Sequence, residues 1–253
     1  MRFYTNVQMV GDNFLVRGYE DGKHFATREK FYPTLFVDSK RKTKYKTLDG
    51  LPVEPIEPGT VRDCREFIKK YNDVENFNVY GNERFIYQYI SDKYPETELK
   101  FDIEQIKLTT IDIEVKSEYG FPDVESCAEE ILLITLQDYT TKQIRTWGLG
   151  GFNNKQENVI YKSFRTEYEL LTDFINWWMI EDNTPEVITG WNSKLYDIPY
   201  LCRRIDRILG EKLKKRMSPW GLVTEEETFI AGRKHISYDI CLLYTSPSPR
   251  DAS

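Results

Sequence analysis

Runs of β-branched and aromatic residues, cut by turn signals, open the chain. Residues 2–10, 13–19 and 24–37 read as antiparallel strands, separated by Gly11-Asp12 and Asp21-Gly22. Residues 52–59, punctuated by Pro52, Pro55, Pro58 and Gly59, read as a connector. Thr60 is placed to cap a helix with Asp63 in its first turn, running to about Tyr71. A short strand over 76–80 and a helix over 82–94, stopped before Pro95, complete the pattern. A domain boundary is expected between residues 95 and 105, which leaves a small β-rich α+β domain over 1–105.

A different order follows. Residues 107–116, KLTTIDIEVK, read as a buried strand. Residues 130–139 and 142–149 read as a hairpin joined at Thr140-Thr141, and 158–163 as another short strand. Thr166 with Glu169 forms a capping-box signature. The helix it starts places Leu170, Leu171, Phe174, Ile175, Trp178 and Met179 at helical spacing. Residues 186–189 read as a strand and 190–195 as a loop. A last helix has Pro199 in its first turn and ends before Gly210. Strand, strand, strand, helix, strand, helix predicts an α/β domain over 106–240. Its mixed sheet, flanked by helices, would combine an antiparallel hairpin with a parallel strand brought in through a helix. This order suits a ribonuclease-H-like core.

Composition narrows the chemistry. The 253 residues include four cysteines, widely spaced and without a CxxC, and only two histidines, His24 and His235. Zinc sites and histidine-based triads are therefore disfavoured, and reduced core thiols are expected. No GxGxxG or GxxxxGK[ST] occurs. No apolar run is long enough for a membrane helix and no signal segment opens the chain, so a soluble protein of the cytoplasm is expected. The net charge of −6 is uneven. Residues 1–100 hold 17 Lys+Arg against 16 Asp+Glu, and residues 101–253 the remaining 18 against 25. An acidic second half does not resemble a general nucleic-acid clamp, but it admits a metal-dependent phosphodiesterase, whose ions offset the acids. Lys40, Arg41, Lys42, Lys44 and Lys46 form the one basic run of the first half; it reads as a solvated loop, or as a phosphate-contacting patch.

The candidate chemistry starts with Asp112 and Glu114. Side chains alternate along a strand, so these two acids share one face while Ile111, Ile113 and Val115 share the other. Two carboxylates held close repel unless a cation lies between them, and hard oxygen donors suit Mg²⁺ or Mn²⁺. Asp-x-Glu occurs four times, at 73–75, 102–104, 112–114 and 123–125; the third pair alone has uncharged, β-branched flanks. Asp197, in ITGWNSKLYDIPYL, begins the last helix, where the helix dipole favours a carboxylate.

Together these stretches resemble the proofreading 3′→5′ exonuclease module of family B DNA polymerases, of the T-even bacteriophage type. TIDIEV is similar to the first exonuclease motif, and TGWNSKLYDIPY to the second, Asn-x-x-x-Phe/Tyr-Asp, here Asn192, Tyr196 and Asp197. Gly120-Phe121-Pro122 and the stretch at 215–219 fit as well, and residues 1–105 resemble, more weakly, the polymerase N-terminal domain. The resemblance implies two-metal hydrolysis of the 3′ end of single-stranded or frayed DNA. Asp112 and Asp197 would be metal ligands and Glu114 a ligand or water-orienting group. Phe121 would stack on terminal bases, with Tyr196 and Asn192 beside the strand. Primer-template DNA and replication accessory proteins are the implied partners of the full-length protein, which would work in the host cytoplasm.

The family's third motif, Tyr-x-x-x-Asp on a later helix, has no counterpart after Asp197; Tyr45–Asp49 and Tyr119–Asp123 match only by chance, and Asp206 and Asp239 lack the context. The chain reads as the front part of a polymerase with an incomplete metal site and weak or absent hydrolysis. Its ending, CLLYTSPSPRDAS at 241–253, reads as a translated sequencing adapter or a Ser/Pro-rich disordered tail, outside the fold. The alternative function is a non-catalytic DNA- or RNA-binding module built on the first domain and its lysine run.

Overall fold

The computed structural model describes residues 2–81, 83–95, 100–118 and 120–245. The chain divides into two compact units, Met1–Gln105 and Ile106–Ser253.

In the first unit, β1 (Arg2–Val10), β2 (Asn13–Glu20) and β3 (Lys23–Lys30) form an antiparallel sheet, its turns set by Gly11 and by Asp21-Gly22 at positive φ. The strand expected to continue to residue 37 is interrupted around Pro33, which cannot donate to a ladder, and resumes as β4 (Leu35–Asp38). The expected connector is corrected: Pro52–Ile56 is a strand, β6, pairing with β4. Its prolines fall opposite Phe36 and at the strand's first position. The short β5 (Tyr45–Lys46) pairs on its other side, inside what reads as a loop. Helix α1 (Val61–Tyr71) starts at Thr60 with a complete capping box: the Asp63 amide donates to Thr60 Oγ1, and the Thr60 amide to Asp63 Oδ2 at 2.7 Å. The short β7 (Val79–Tyr80) pairs with β4, giving the order β5-β6-β4-β7, and α2 (Phe85–Lys93) follows. Asn82, expected to open that helix, lies outside the described residues. Phe14, Phe31 and Tyr89 centre this unit's core, with the Phe14 and Tyr89 rings stacked at 4.7 Å.

The second unit is mixed α/β. Strands β8 (Leu108–Val115), β9 (Ile131–Asp138), β10 (Ile144–Leu149) and β11 (Val159–Phe164) precede helix α3 (Glu167–Trp178). Then come β12 (Val187–Thr189), α4 (Asp197–Leu209), α5 (Glu211–Lys214), β13 (Thr224–Ile230), β14 (Arg233–Asp239) and β15 (Leu243–Thr245). The sheet order is β11-β10-β9-β8-β12-β15: β8, β9 and β10 are antiparallel neighbours, while β11, β12 and β15 join in parallel. Ile111, Ile113, Ile134, Trp147, Phe174, Trp178, Ile198 and Leu201 are buried in one cluster. Thr166 caps α3 by accepting the Glu169 amide, but the capping box is half formed: Glu169 accepts from Arg165 and not from Thr166.

One further expectation is corrected here. Residues 241–245 are not outside the fold. Cys241 and Leu242 are buried, β15 pairs with β12, and Tyr244 Oη donates to the Tyr238 carbonyl at 2.8 Å; residues 246–253 lie outside the described residues. The β13–β14 hairpin was not anticipated. Its two-residue turn, Ala231-Gly232, has positive φ at both positions, the twist that antiparallel hairpins favour.

Candidate active site and strand groove

Strand β8 is half buried. Ile111 and Ile113 enter the core, whereas Asp112 and Glu114 are exposed on the opposite face, as the alternation requires. On one side β9 pairs with β8 from Thr109 to Val115, with a register shift between Glu114 and Val115. On the other, β12 pairs only as far as Thr110. Beyond Thr110 the open edge is taken up by the segment that follows β12. Gly190 lies so close that a Cβ there would meet the Ile111 carbonyl oxygen at 2.5 Å. Asn192 turns the chain at φ 56°, and its carbonyl accepts the Leu195 and Tyr196 amides at 3.0 and 2.9 Å. The next residue, Asp197, then accepts the Ile113 amide on Oδ1 at 3.0 Å. A carboxylate thus replaces a strand partner at the one amide that lies between the two strand acids.

Asp197 is 3% exposed. Burial, reinforced by the negative charges of Asp112 and Glu114, pushes its carboxyl up to about 7 against the opposing pull of the Ile113 N–H. Loss of water also raises Asp112. Asp197 is therefore the acid that senses the charge of the strand pair. Among the described residues, no three His, Cys, Asp or Glu side chains converge closely enough to hold a metal ion as they stand. The donor set nonetheless fits a hard divalent cation: it is all carboxylate oxygen, and it carries repulsion that such an ion would relieve. Asp206 and Asp239 do not join this set. Asp206 pairs with Lys214 at 2.5 Å, and Asp239 accepts the Cys241 amide at 2.8 Å.

The residues expected to contact DNA meet in a groove of about 600 Å³. Phe121, 80% exposed, sits against Tyr196 with ring centroids 4.6 Å apart, and Asn192 lines the same groove. Burial, and then the charge of Asp197, pushes the Tyr196 phenol up to about 12, so it stays neutral at pH 7 and offers a ring face. The facing wall, Arg233 to Ile236, comes from β14.

Residues that sequence reasoning passed over hold this arrangement. Arg203, Arg204 and Arg207 of α4 donate to the carbonyls of residues 124–128, the loop that carries Phe121. Among these bonds are Arg203 to Glu125 O at 2.6 Å, Arg204 to Cys127 O at 3.0 Å and Arg207 to Cys127 O at 2.7 Å. The Arg204 guanidinium is buried and bidentate on Glu167, with Nε to Oε1 at 2.8 Å; Glu167 Oε1 also accepts the Ile131 amide at 2.9 Å. The available signal was Arg204 standing among Ile198, Leu201, Cys202 and Ile205 on an apolar stripe, where a lone charge needs a buried partner.

Residues 60–243 match the family described as DNA polymerase family B, exonuclease domain. The DNA-directed DNA polymerase of Enterobacteria phage T4 is 31% identical over 247 residues, covering 87% of this chain and 27% of that protein. That of Escherichia phage RB69 is 31% identical over 245 residues, covering 86% and 27%. The DNA polymerase catalytic subunit of Human herpesvirus 6A is 34% identical over 103 residues, covering 39% and 10%. The chain spans about a quarter of the length of the two phage relatives. With the match extending over most of its length, and the acid-bearing strand and the Asn192–Asp197 turn both inside it, this chain belongs to the family B DNA polymerases.

Proposed function

We propose that the chain carries the proofreading part of a replicative DNA polymerase, a ribonuclease-H-like 3′→5′ exonuclease that removes terminal nucleotides from single-stranded or frayed DNA. The observation that supports this most is the Asp197 carboxylate bonded to Ile113, between Asp112 and Glu114. Asp112 and Asp197 would hold Mg²⁺ or Mn²⁺, with Glu114 as a further ligand or a water-orienting group. Two such ions, when bound, lower the pKa of water and neutralise charge on the leaving 3′ oxygen. The Ile113 amide fixes one Asp197 oxygen and leaves the other for this task. Phe121 and Tyr196 offer faces on which any base can stack, and Asn192 lies beside them, so the groove would not read sequence. A mismatched end costs less to unpair and reaches the groove more readily. By analogy with the phage polymerases, primer-template DNA and replication accessory proteins are the expected partners, in the host cytoplasm.

With three carboxylates alone, hydrolysis by this chain should be slow. The test is shortening of a 3′-labelled single strand in Mg²⁺ or Mn²⁺. Slow shortening, lost in Asp112→Ala and in Asp197→Ala, supports the proposal; robust shortening that both variants retain overturns it.

A second reading concerns the first unit. Phe36, Tyr45 and Tyr80 line a depression of about 420 Å³ together with Lys46, next to exposed Lys40, Arg41, Lys42 and Lys44. Aromatic faces beside a lysine run favour a nucleic-acid-binding module, for RNA or DNA. Salt-sensitive binding that survives loss of Asp112 and Asp197 but disappears when the lysines are neutralised is the expected result for it.

A further inference from the structure

We infer that Arg203 is a positioning residue that staples the two walls of the groove and so sets the geometry in which a strand end meets Phe121 and Tyr196. This rests on the groove being the strand-binding site. One wall is the loop at residues 121–125; the other is Arg233–Ile236 of β14, the inner strand of the β13–β14 hairpin. Arg203 reaches both. Its Nη1 donates to the Val124 carbonyl at 3.2 Å and the Glu125 carbonyl at 2.6 Å. Its Nε donates to Tyr238 Oη on β14 at 3.2 Å, and its Nη2 to Glu225 Oε1 on β13 at 2.9 Å. Tyr238 Oη in turn donates to the second Glu225 oxygen, closing a three-residue network. A planar fork fixes the directions of its hydrogen bonds to both walls, whereas a lysine ammonium is a point charge on a flexible stem.

The groove is also spanned by Lys234 and Glu125 at 3.7 Å, while Lys234 holds Glu227 of its own hairpin at 2.7 Å. Those side chains are exposed, so that link is screened by salt and contributes little. Arg203 is less exposed, with its side chain at 21%. Arg207 supplies the comparison: it fastens the same loop through the Ser126 and Cys127 carbonyls at 3.2 and 2.7 Å, and among the described residues none of its hydrogen bonds reaches the hairpin.

The experiment uses the full chain with divalent ions chelated, so that binding is read without hydrolysis. The probe is a short single-stranded DNA with 2-aminopurine at its 3′ end, whose emission is quenched when it stacks. Affinity comes from anisotropy and folding from a thermal melt of each variant. Arg203→Ala and the gentler Arg203→Lys should both bind roughly tenfold more weakly, with quenching lost, because misplacing a contact surface costs far more than its distance suggests. Arg207→Ala, which loosens the loop without touching the hairpin, should lose clearly less affinity and quenching than either Arg203 variant. If Arg203→Lys binds and quenches like the unaltered chain, or if Arg207→Ala loses as much, the inference is overturned. Binding that Phe121→Ala weakens and Arg203→Lys leaves intact removes this inference alone; failure of the unaltered chain to bind the probe removes the strand-groove reading with it.

Discussion

At the residue scale, Asp197 carries the most consequence. Its carboxyl is raised to about 7 by burial, so between the ordinary carboxylate range and about 7 the folded chain holds a proton that the unfolded chain has lost. Stability from this group is therefore fully present below the ordinary carboxylate range, declines as pH rises from there to about 7, and changes no further above it. Asp197→Asn keeps an oxygen for the Ile113 amide and removes the charge. It should raise the melting temperature at pH 8 by at least roughly 2–4 °C, with the gain shrinking steadily as pH falls from 7 toward the ordinary carboxylate range. Mg²⁺ should raise the melting temperature of the unaltered chain at pH 8 and not that of the variant, since an ion held by the folded form alone stabilises it. Gly190 makes a second test. A methyl group there meets the Ile111 carbonyl at 2.5 Å, and backbone cannot give way cheaply. Gly190→Ala should cost about 1–3 kcal/mol in a denaturant melt. It should also weaken Mg²⁺ stabilisation, because it displaces the turn that delivers Asp197. The sequence marked Asp112, Glu114 and Asp197 through alternation and resemblance. It could not show that Asp197 reaches the strand through a backbone amide, because that bond depends on β12 stopping short.

At the element scale, α4 does two jobs. Its first residue is the acid, and its second and third turns fasten the Phe121 loop. Arg204 and Glu167 are both nine-tenths buried or more, so removing one leaves the other charged and unpaired. Arg204→Ala should cost about 3–5 kcal/mol, and the Arg204→Met, Glu167→Leu double variant markedly less. A double-mutant cycle by urea melts reads the coupling. Helices and strands with a cap or a clear period were legible: Thr60 and Asp63 marked the start of α1, and the apolar stripe marked α3. Pro52–Ile56 was not legible, because a strand lying against β4 tolerates prolines that local rules count as breaks. The β13–β14 hairpin escaped for a related reason. All of β13 is exposed, so it shows no buried face from which to read a period of two.

At the scale of the whole molecule, the two units have separate cores. All five tryptophans, Trp147, Trp177, Trp178, Trp191 and Trp220, fall in the second. Tryptophan emission therefore reports that unit alone, while far-ultraviolet circular dichroism reports both. The two probes should give urea transitions with different midpoints, as expected for units that do not unfold as one. Superimposable transitions would show that the chain is a single cooperative body.

By itself the sequence determined the element order through most of the chain, the shared face of Asp112 and Glu114, and the acid at the head of α4, because periodicity, caps and turns are local properties. Tertiary structure alone decided which strand edge stayed open, that residues 241–245 close the far side of the sheet, and that three arginines of one helix hold the loop opposite a hairpin. Those outcomes depend on which backbone groups are left without a strand partner after the sheet has formed, and short-range pattern carries no record of that.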